Sequence, residues 1–186
     1  HHLKIFVSGG IASPSDPIWM LQFSEEEILA IVDEARRRRV YVAAHAYTAE
    51  TILRAVRLGV RTIEHGNLIM KEETLQMMKD NGVWLSAQPL IDDEDRLVFD
   101  NPTSTAKWIA VTDGTGRNYE AAKAAGVPGS RIVYSGVGKT REEMRLALEG
   151  GIRQFNLESE PEMRALSEVA TSMGVVVPSV SSPTTM

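Results

Sequence analysis

Hydrophobic positions along this chain form short apolar runs, and each run follows an amphipathic segment that ends near a glycine. The arrangement recurs around Gly59, Gly82, Gly151 and Gly174. A glycine just past a helix permits the left-handed cap conformation, so the chain can turn directly into a strand. The pattern predicts seven strands, at residues 4–8, 40–45, 62–65, 83–88, 131–135, 154–157 and 175–180.

Helical patterns fill the intervals between these strands. Ser24 precedes Glu27 by three residues, which is the spacing of a capping box at a helix start. Thr48 is the predicted N-cap of the next helix, and four more helices are expected at 72–80, 104–125, 140–149 and 160–173. Strands that alternate with helices, and that are apolar on both faces, favour a parallel sheet covered by helices.

The predicted fold is therefore α/β: a single domain over residues 1–186, as a (βα) TIM-type barrel or partial barrel with about seven parallel strands. A parallel sheet is covered on both faces, so its apolar strand residues should be buried. The residues expected to lie on strands and to be largely buried are Ile5, Val7, Val42, Ala44, Ile63, Leu85, Ile132, Tyr134, Phe155 and Val176.

Seven strands are one fewer than the eight of a closed barrel of this type. The sheet could close with seven strands, the irregular segment 90–101 could cover the gap, or two chains could pair or swap elements. We expect a homodimer through unpaired strand edges, because exposed edges recruit other chains and a seven-stranded barrel needs altered tilt and shear.

Composition excludes several classes of function. The 186 residues are 43% hydrophobic and carry a net charge of −5, without the basic excess of nucleic-acid-binding domains. No apolar run is long enough to span a membrane, and no signal-peptide pattern is present. The absence of cysteine excludes disulfides, thiolate nucleophiles and cysteine-ligated zinc. We expect a cytoplasmic protein with no nucleic-acid or membrane partner.

His45 and His65 are the candidate chemical groups, and each ends a predicted strand. His1 and His2 instead resemble the end of an affinity tag. The carboxyl ends of parallel strands meet on one face, where the chemistry of such folds collects. Two imidazoles there favour metal binding or acid–base catalysis. The alternative is that both are hydrogen-bonded structural histidines at a solvent-facing edge.

The residues around these histidines resemble consecutive blocks of metal-dependent amidohydrolases, in the imidazolonepropionase-like and Xaa-Pro dipeptidase-like subgroup. The resemblance covers residues 3–127 and rests on KIFVSGG at 4–10, YVAAHAY at 41–47 and RTIEHGN at 61–67. It implies that these blocks are the fourth, fifth and sixth strands of a barrel. It also implies that Lys4 is a carboxylated lysine bridging two metals, and that His45 and His65 are metal ligands.

The segment after residue 127 resembles another family. RIVYSGVGKTREE at 131–143 and FNLESEPE at 155–162 are similar to the barrel domain of diaminopimelate decarboxylase, a pyridoxal-phosphate enzyme. The two resemblances together imply an engineered chimera of two half-barrels. Its amidohydrolase-like part is residues 3–127, and its decarboxylase-like part is residues 128–186.

The two resemblances also imply that neither site is whole. The first segment has no His-x-His pair and no last-strand aspartate of its family. The second has neither the Schiff-base lysine nor the glycine-rich phosphate loop. The expectation is a chimeric scaffold that is not an enzyme and needs no cofactor. The alternative is a weak metal-dependent hydrolase that binds zinc or another divalent metal through His45, His65 and Lys4.

Three further segments have weaker chemical patterns. Residues 92–95 are all acidic and could bind calcium, although a solvated loop is favoured. Residues 136–140 lack the full spacing of a phosphate-binding loop. Residues 8–10 could form an anion-binding nest, but a loop that allows close approach of the chain is favoured.

Overall fold

A parallel sheet of seven strands is the centre of the computed structural model, which describes residues 1–69, 71–87, 98–124, 126, 128–134, 139–177 and 179–181. The strands are β1 (His2–Phe6), β2 (Tyr41–Thr48), β3 (Thr62–Leu68), β4 (Trp84–Ala87), β5 (Ile132–Tyr134), β6 (Gln154–Leu157) and β7 (Ser179–Ser181). Every neighbouring pair is parallel, and the spatial order follows the chain order from β1 to β7.

Within the described ranges, the strands are connected by six α-helices: α1 (Glu25–Arg37), α2 (Ala49–Arg57), α3 (Glu72–Asp80), α4 (Pro102–Ala124), α5 (Arg141–Glu149) and α6 (Glu160–Met173). The predicted capping box is present, because the Ser24 amide donates to Glu27 Oε2 at 2.7 Å and the Glu27 amide donates to Ser24 Oγ at 3.2 Å. Thr48 and Thr140 cap α2 and α5 as N-cap residues. In the described part of the chain, no helix is both long and apolar enough to cross a bilayer.

The sequential parallel order confirms the predicted fold class. A right-handed βα repeat that adds each strand beside the previous one gives the wall of a barrel. Among the described residues β1 and β7 pair with one neighbour each, so the sheet is a partial barrel with two open edges rather than a ring of seven strands.

Two hydrophobic clusters cover the helix-facing side of the sheet. The first joins β1–β3 to α1–α3, with Ile28, Ile52 and Ile63 fully buried. The second joins β5 and β6 to α5 and α6 around Phe155 and Met144. Burial is confirmed for Ile5, Val7, Val42, Ala44, Ile63, Ile132, Tyr134 and Phe155, whereas Leu85 is half-buried.

The predicted last strand lies elsewhere than expected. Val176 is 97% exposed, because α6 ends in the left-handed Gly174 and the chain pairs with β6 only from Ser179 onward. The apolar run at 175–177 is thus a connection between α6 and β7. The prediction that Val176 is a buried strand residue is wrong, because an apolar run alone does not fix where pairing begins.

Helix α4 lies across the carboxyl end of β2 and β3. Trp108 and Val111 of α4 pack with Ile11 and Tyr47 in a third buried cluster. A side chain at Gly114 would place its Cβ 2.5 Å from the Asn67 carbonyl oxygen, so this helix approaches the end of β3 as closely as a glycine permits. The helix and the loop after β1 together cover the edge where His45 and His65 lie.

Candidate metal site at the carboxyl end of the sheet

His45 lies on the face of β2 opposite to α1–α3 and is only 5% exposed. Its register partner on β1 is Phe6, and the two ring centroids are 4.5 Å apart. The strand continues three residues beyond it, to Thr48, and β3 similarly continues beyond His65 to Leu68. The prediction that each histidine is the last residue of its strand is therefore wrong: His45 is the fifth of eight residues in β2, and His65 is the central residue of β3.

His65 reaches the His45 ring because of an unusual backbone conformation. It pairs in register with Ala46, whose side chain is buried on the helix side of the sheet. With regular strand geometry, the His65 side chain would also point to the helix side, away from His45. Its φ of 73° is left-handed, and the register shifts directly afterwards. The His65 ring consequently lies 4.6 Å from the His45 ring and stacks on Tyr47 at 5.1 Å. Such strain costs about 1–3 kcal/mol and clusters at functional sites.

The protonation state of His45 follows from its surroundings. Burial lowers the pKa of His45 to about 4, the Gly9 carbonyl opposes this shift, and the charge of Lys4 adds to it. The imidazole is therefore neutral at pH 7. Its Nε2 lies 3.2 Å from the Gly9 carbonyl oxygen, which can only accept, so Nε2 carries the proton. The lone pair of the neutral ring is thus on Nδ1, which is the form a metal ligand needs.

Lys4 lies on the same face, one alternation before Phe6 on β1. Its Nζ is 3.6 Å from Glu64 Oε2, and burial lowers the pKa of Lys4 against the opposing effect of that carboxylate. Glu64 is the register partner of His45 on β3. Sequence reasoning missed Glu64 as a site residue, although its place next to His65 in the strand was the available signal.

The arrangement brings two potential metal ligands together and leaves the third open. Two imidazoles with ring centroids 4.6 Å apart suit one divalent ion, for which Zn–N bonds are about 2.0–2.1 Å. Across the residues that the structure describes, no three His, Asp or Glu side chains are grouped around one metal position. Lys4 is paired with Glu64 instead.

Of the three segments with weaker chemical patterns, one has a structural role, and the other two lie wholly or partly outside the described residues. An added Cβ at Gly9 would lie 2.2 Å from the Pro17 carbonyl oxygen, which supports the predicted close approach of the chain at residues 8–10. Lys139 is buried in an ion pair with Glu162. Residues 92–95 and 135–138 lie outside the described residues.

Comparison with known proteins gives a family match over most of the chain. Residues 2–177 match the profile described as "Amidohydrolase family". A crystal structure of a prolidase complexed with N-methylphosphonate-L-proline is 40% identical, with a TM-score of 0.63, and the match covers 72% of this chain and 33% of that one. A Xaa-Pro dipeptidase with methionine in its active site is 28% identical, with a TM-score of 0.64 over 92% of this chain and 43% of that one.

Two curated relatives match different lengths of the chain. Ochratoxinase of Aspergillus niger is 31% identical over 158 residues, which is 80% of this chain and 32% of that protein. Diaminopimelate decarboxylase of Zymomonas mobilis is 68% identical over 50 residues, which is 27% of this chain and 12% of that protein. Both resemblances found in the sequence are confirmed, and the chain spans a third or less of either relative.

These matches correct one expectation. The prediction that the chain is not an enzyme is wrong, because residues 2–177 match the amidohydrolase family and the proteins matched over 72–92% of the chain include an ochratoxinase, a prolidase and a Xaa-Pro dipeptidase. The sequence argument relied on ligands that the chain lacks. Family membership depends instead on the strands and loops that are present.

Proposed function

The chain belongs to the amidohydrolase family, and from this we propose that it carries part of a metal-dependent hydrolase site in which His45 and His65 hold a divalent cation such as zinc. The observation that carries the proposal is the pair of adjacent imidazoles beneath α4, one of them buried and neutral. Keeping His65 in a left-handed conformation to form this pair is costly, which favours a functional reason for it.

Each residue has a distinct part in this proposal. His45 offers Nδ1 while Gly9 fixes its Nε2 proton, and the Tyr47 ring orients His65 by stacking. Lys4 is the candidate third ligand because it lies on the same face of the sheet as His45, and binding a cation would replace its ion pair with Glu64. When bound, a divalent cation supplies an activated water and polarises the scissile carbonyl group.

The proposed substrate class is a dipeptide with proline after the scissile bond. The support is the 40% identity to a prolidase bound to a phosphonate analogue that ends in L-proline, together with the similarity to a Xaa-Pro dipeptidase.

The test measures metal content and dipeptide hydrolysis together. Protein purified with zinc should contain about one ion per chain and should release proline from Ala-Pro. The double variant His45→Ala/His65→Ala should lose both properties, because it removes both imidazoles. His2→Ala is the matched control, since His2 is an exposed histidine on the same sheet. Zinc uptake that is equal in the double variant and the wild type would remove the two histidines as ligands.

We further propose that residues 3–127 and 128–186 form one folding unit. The two helix-facing clusters divide between β4 and β5, close to this boundary, but Ala87 of β4 packs against the second cluster. All three tryptophans, Trp19, Trp84 and Trp108, lie in the first segment. Tryptophan fluorescence therefore reports chiefly the first segment, although the Trp84 ring also lies 5.2 Å from the Arg153 guanidinium of the second, whereas far-UV circular dichroism reports both. We expect the two urea transitions to coincide. Separate midpoints would contradict a single unit.

We also propose a homodimer through the open edges of β1 and β7, since each pairs on one side only within the described residues. Light scattering coupled to size-exclusion chromatography should give twice the 20.5 kDa chain mass. A mass that stays at 20.5 kDa across a wide concentration range would rule the dimer out.

A further inference from the structure

We propose that Lys107 is a positioning residue for the metal site, and that it acts by holding the loop whose carbonyl group fixes the His45 ring. The inference rests on the proposed function, because the orientation of His45 matters chemically only if the ring is a ligand. Lys107 lies on α4, distant in sequence from both the loop and the histidine.

The environment of the Lys107 ammonium group is the first observation. The residue is only 8% exposed, and Nζ donates to the carbonyl oxygens of Gly10 at 3.1 Å, of Ser13 at 2.5 Å and of Asp16. An ammonium group has three hydrogens, so all of its donors are used on the backbone of one loop. Charge-assisted hydrogen bonds of this kind are about twice as strong as neutral ones.

The shape of that loop is the second observation. Its two ends touch, because a Cβ at Gly9 would lie 2.2 Å from the Pro17 carbonyl oxygen. Lys107 bonds to one oxygen near each end and to one in the middle, and Ser104 of the same helix donates to the Ala12 carbonyl oxygen at 3.3 Å. Among the described residues, Lys107 makes three of these four hydrogen bonds from α4 to the loop, beside the packing of Trp108 and Val111 on Ile11.

The third observation connects the loop to the site. Gly9, next to the Gly10 carbonyl that Lys107 holds, accepts the Nε2 proton of His45 at 3.2 Å. The His45 ring also lies beneath Gly10, with Cε1 and Nε2 3.8 Å from where a Cβ would be. Holding Gly9 and Gly10 in place keeps the proton on Nε2 and the lone pair on Nδ1. Without the Lys107 hydrogen bonds the loop would be free to move, and either ring nitrogen of His45 could then carry the proton.

The test compares Lys107→Met, which removes the donors, with Lys107→Arg, which keeps a cation. In metal-free protein, nitrogen NMR of the imidazoles should show the Nε2-protonated form of His45 in the wild type and a mixture in Lys107→Met. Zinc affinity of Lys107→Met should fall at least tenfold, in the range typical of groups that orient metal ligands. Lys107→Arg should restore much of both properties. Lys79→Met, on an exposed lysine of α3, is the control.

The readouts separate the two proposals. If the wild type binds no zinc, the proposed function fails, while the tautomer comparison still decides the role of Lys107. If Lys107→Met keeps the wild-type tautomer, Lys107 does not position His45. Near-UV circular dichroism first establishes folding. If Lys107→Met unfolds, Lys107→Gln replaces it, because the two N–H groups of the shorter, uncharged amide cannot serve all three carbonyl oxygens. An unchanged tautomer in Lys107→Gln would then overturn the inference.

Discussion

Replacement of Val42 by Asp is expected to unfold the protein at 25 °C. Val42 lies on β2 between β1 and β3, is 1% exposed, and belongs to the cluster that joins these strands to α1–α3. An unpaired carboxylate at this position loses several kcal/mol of hydration and gains no partner. That loss is a large share of the 5–15 kcal/mol by which most domains are stable.

The matched control for this variant is Tyr41→Asp. Tyr41 is the preceding residue of the same strand, but it is 43% exposed on the opposite face. Its replacement should cost about 1 kcal/mol, the span of strand propensities. Urea denaturation followed by circular dichroism measures both variants. Equal stability of Val42→Asp and the wild type would mean that β2 does not have its helix-side face buried as described.

Local signals explain how well the elements were predicted. Helices α3 and α6 begin and end at the predicted residues, and the Ser24 and Thr140 caps satisfy amides that a helix leaves free. These features depend on residues three or four positions apart. The parallel sheet also followed from sequence, because the regular alternation of strands and helices leaves few other topologies.

The site could be predicted only in part, because its geometry depends on contacts distant in sequence. His45 and His65 were found from their place near strand ends, but nothing local indicates that His65 is left-handed or that its ring stacks on Tyr47. The partnership of Lys4 with Glu64 depends on strand register. The Lys107 contacts join residues more than 90 positions apart. Charge and hydropathy patterns contain no signal for such pairs.

Replacement of Lys139 by Met is expected to be the second strongly destabilising change. Lys139 Nζ lies 3.1 Å from Glu162 Oε2 and donates to the Asn156 carbonyl oxygen at 2.7 Å, and the two charged side chains are 1% and 5% exposed. The Glu162 carboxylate also accepts the backbone amides of Lys139 and Glu158, so it cannot leave the interior without losing them.

The variant would leave the Glu162 charge buried without its cation, which typically costs about 3–5 kcal/mol. For a chain of this length we expect the melting temperature to fall by roughly 6–20 °C. Arg164→Met is the control, because Arg164 pairs with Glu160 on the exposed side of α6, the helix that also contains Glu162, and exposed ion pairs contribute little to stability.

If one folding unit spans the chain, tryptophan fluorescence of Lys139→Met should report the same lowered midpoint as circular dichroism, although all three tryptophans lie in residues 3–127 and Lys139 does not. An unchanged fluorescence midpoint beside a lowered circular-dichroism midpoint would show that α5, α6 and their strands unfold independently of β1–β4.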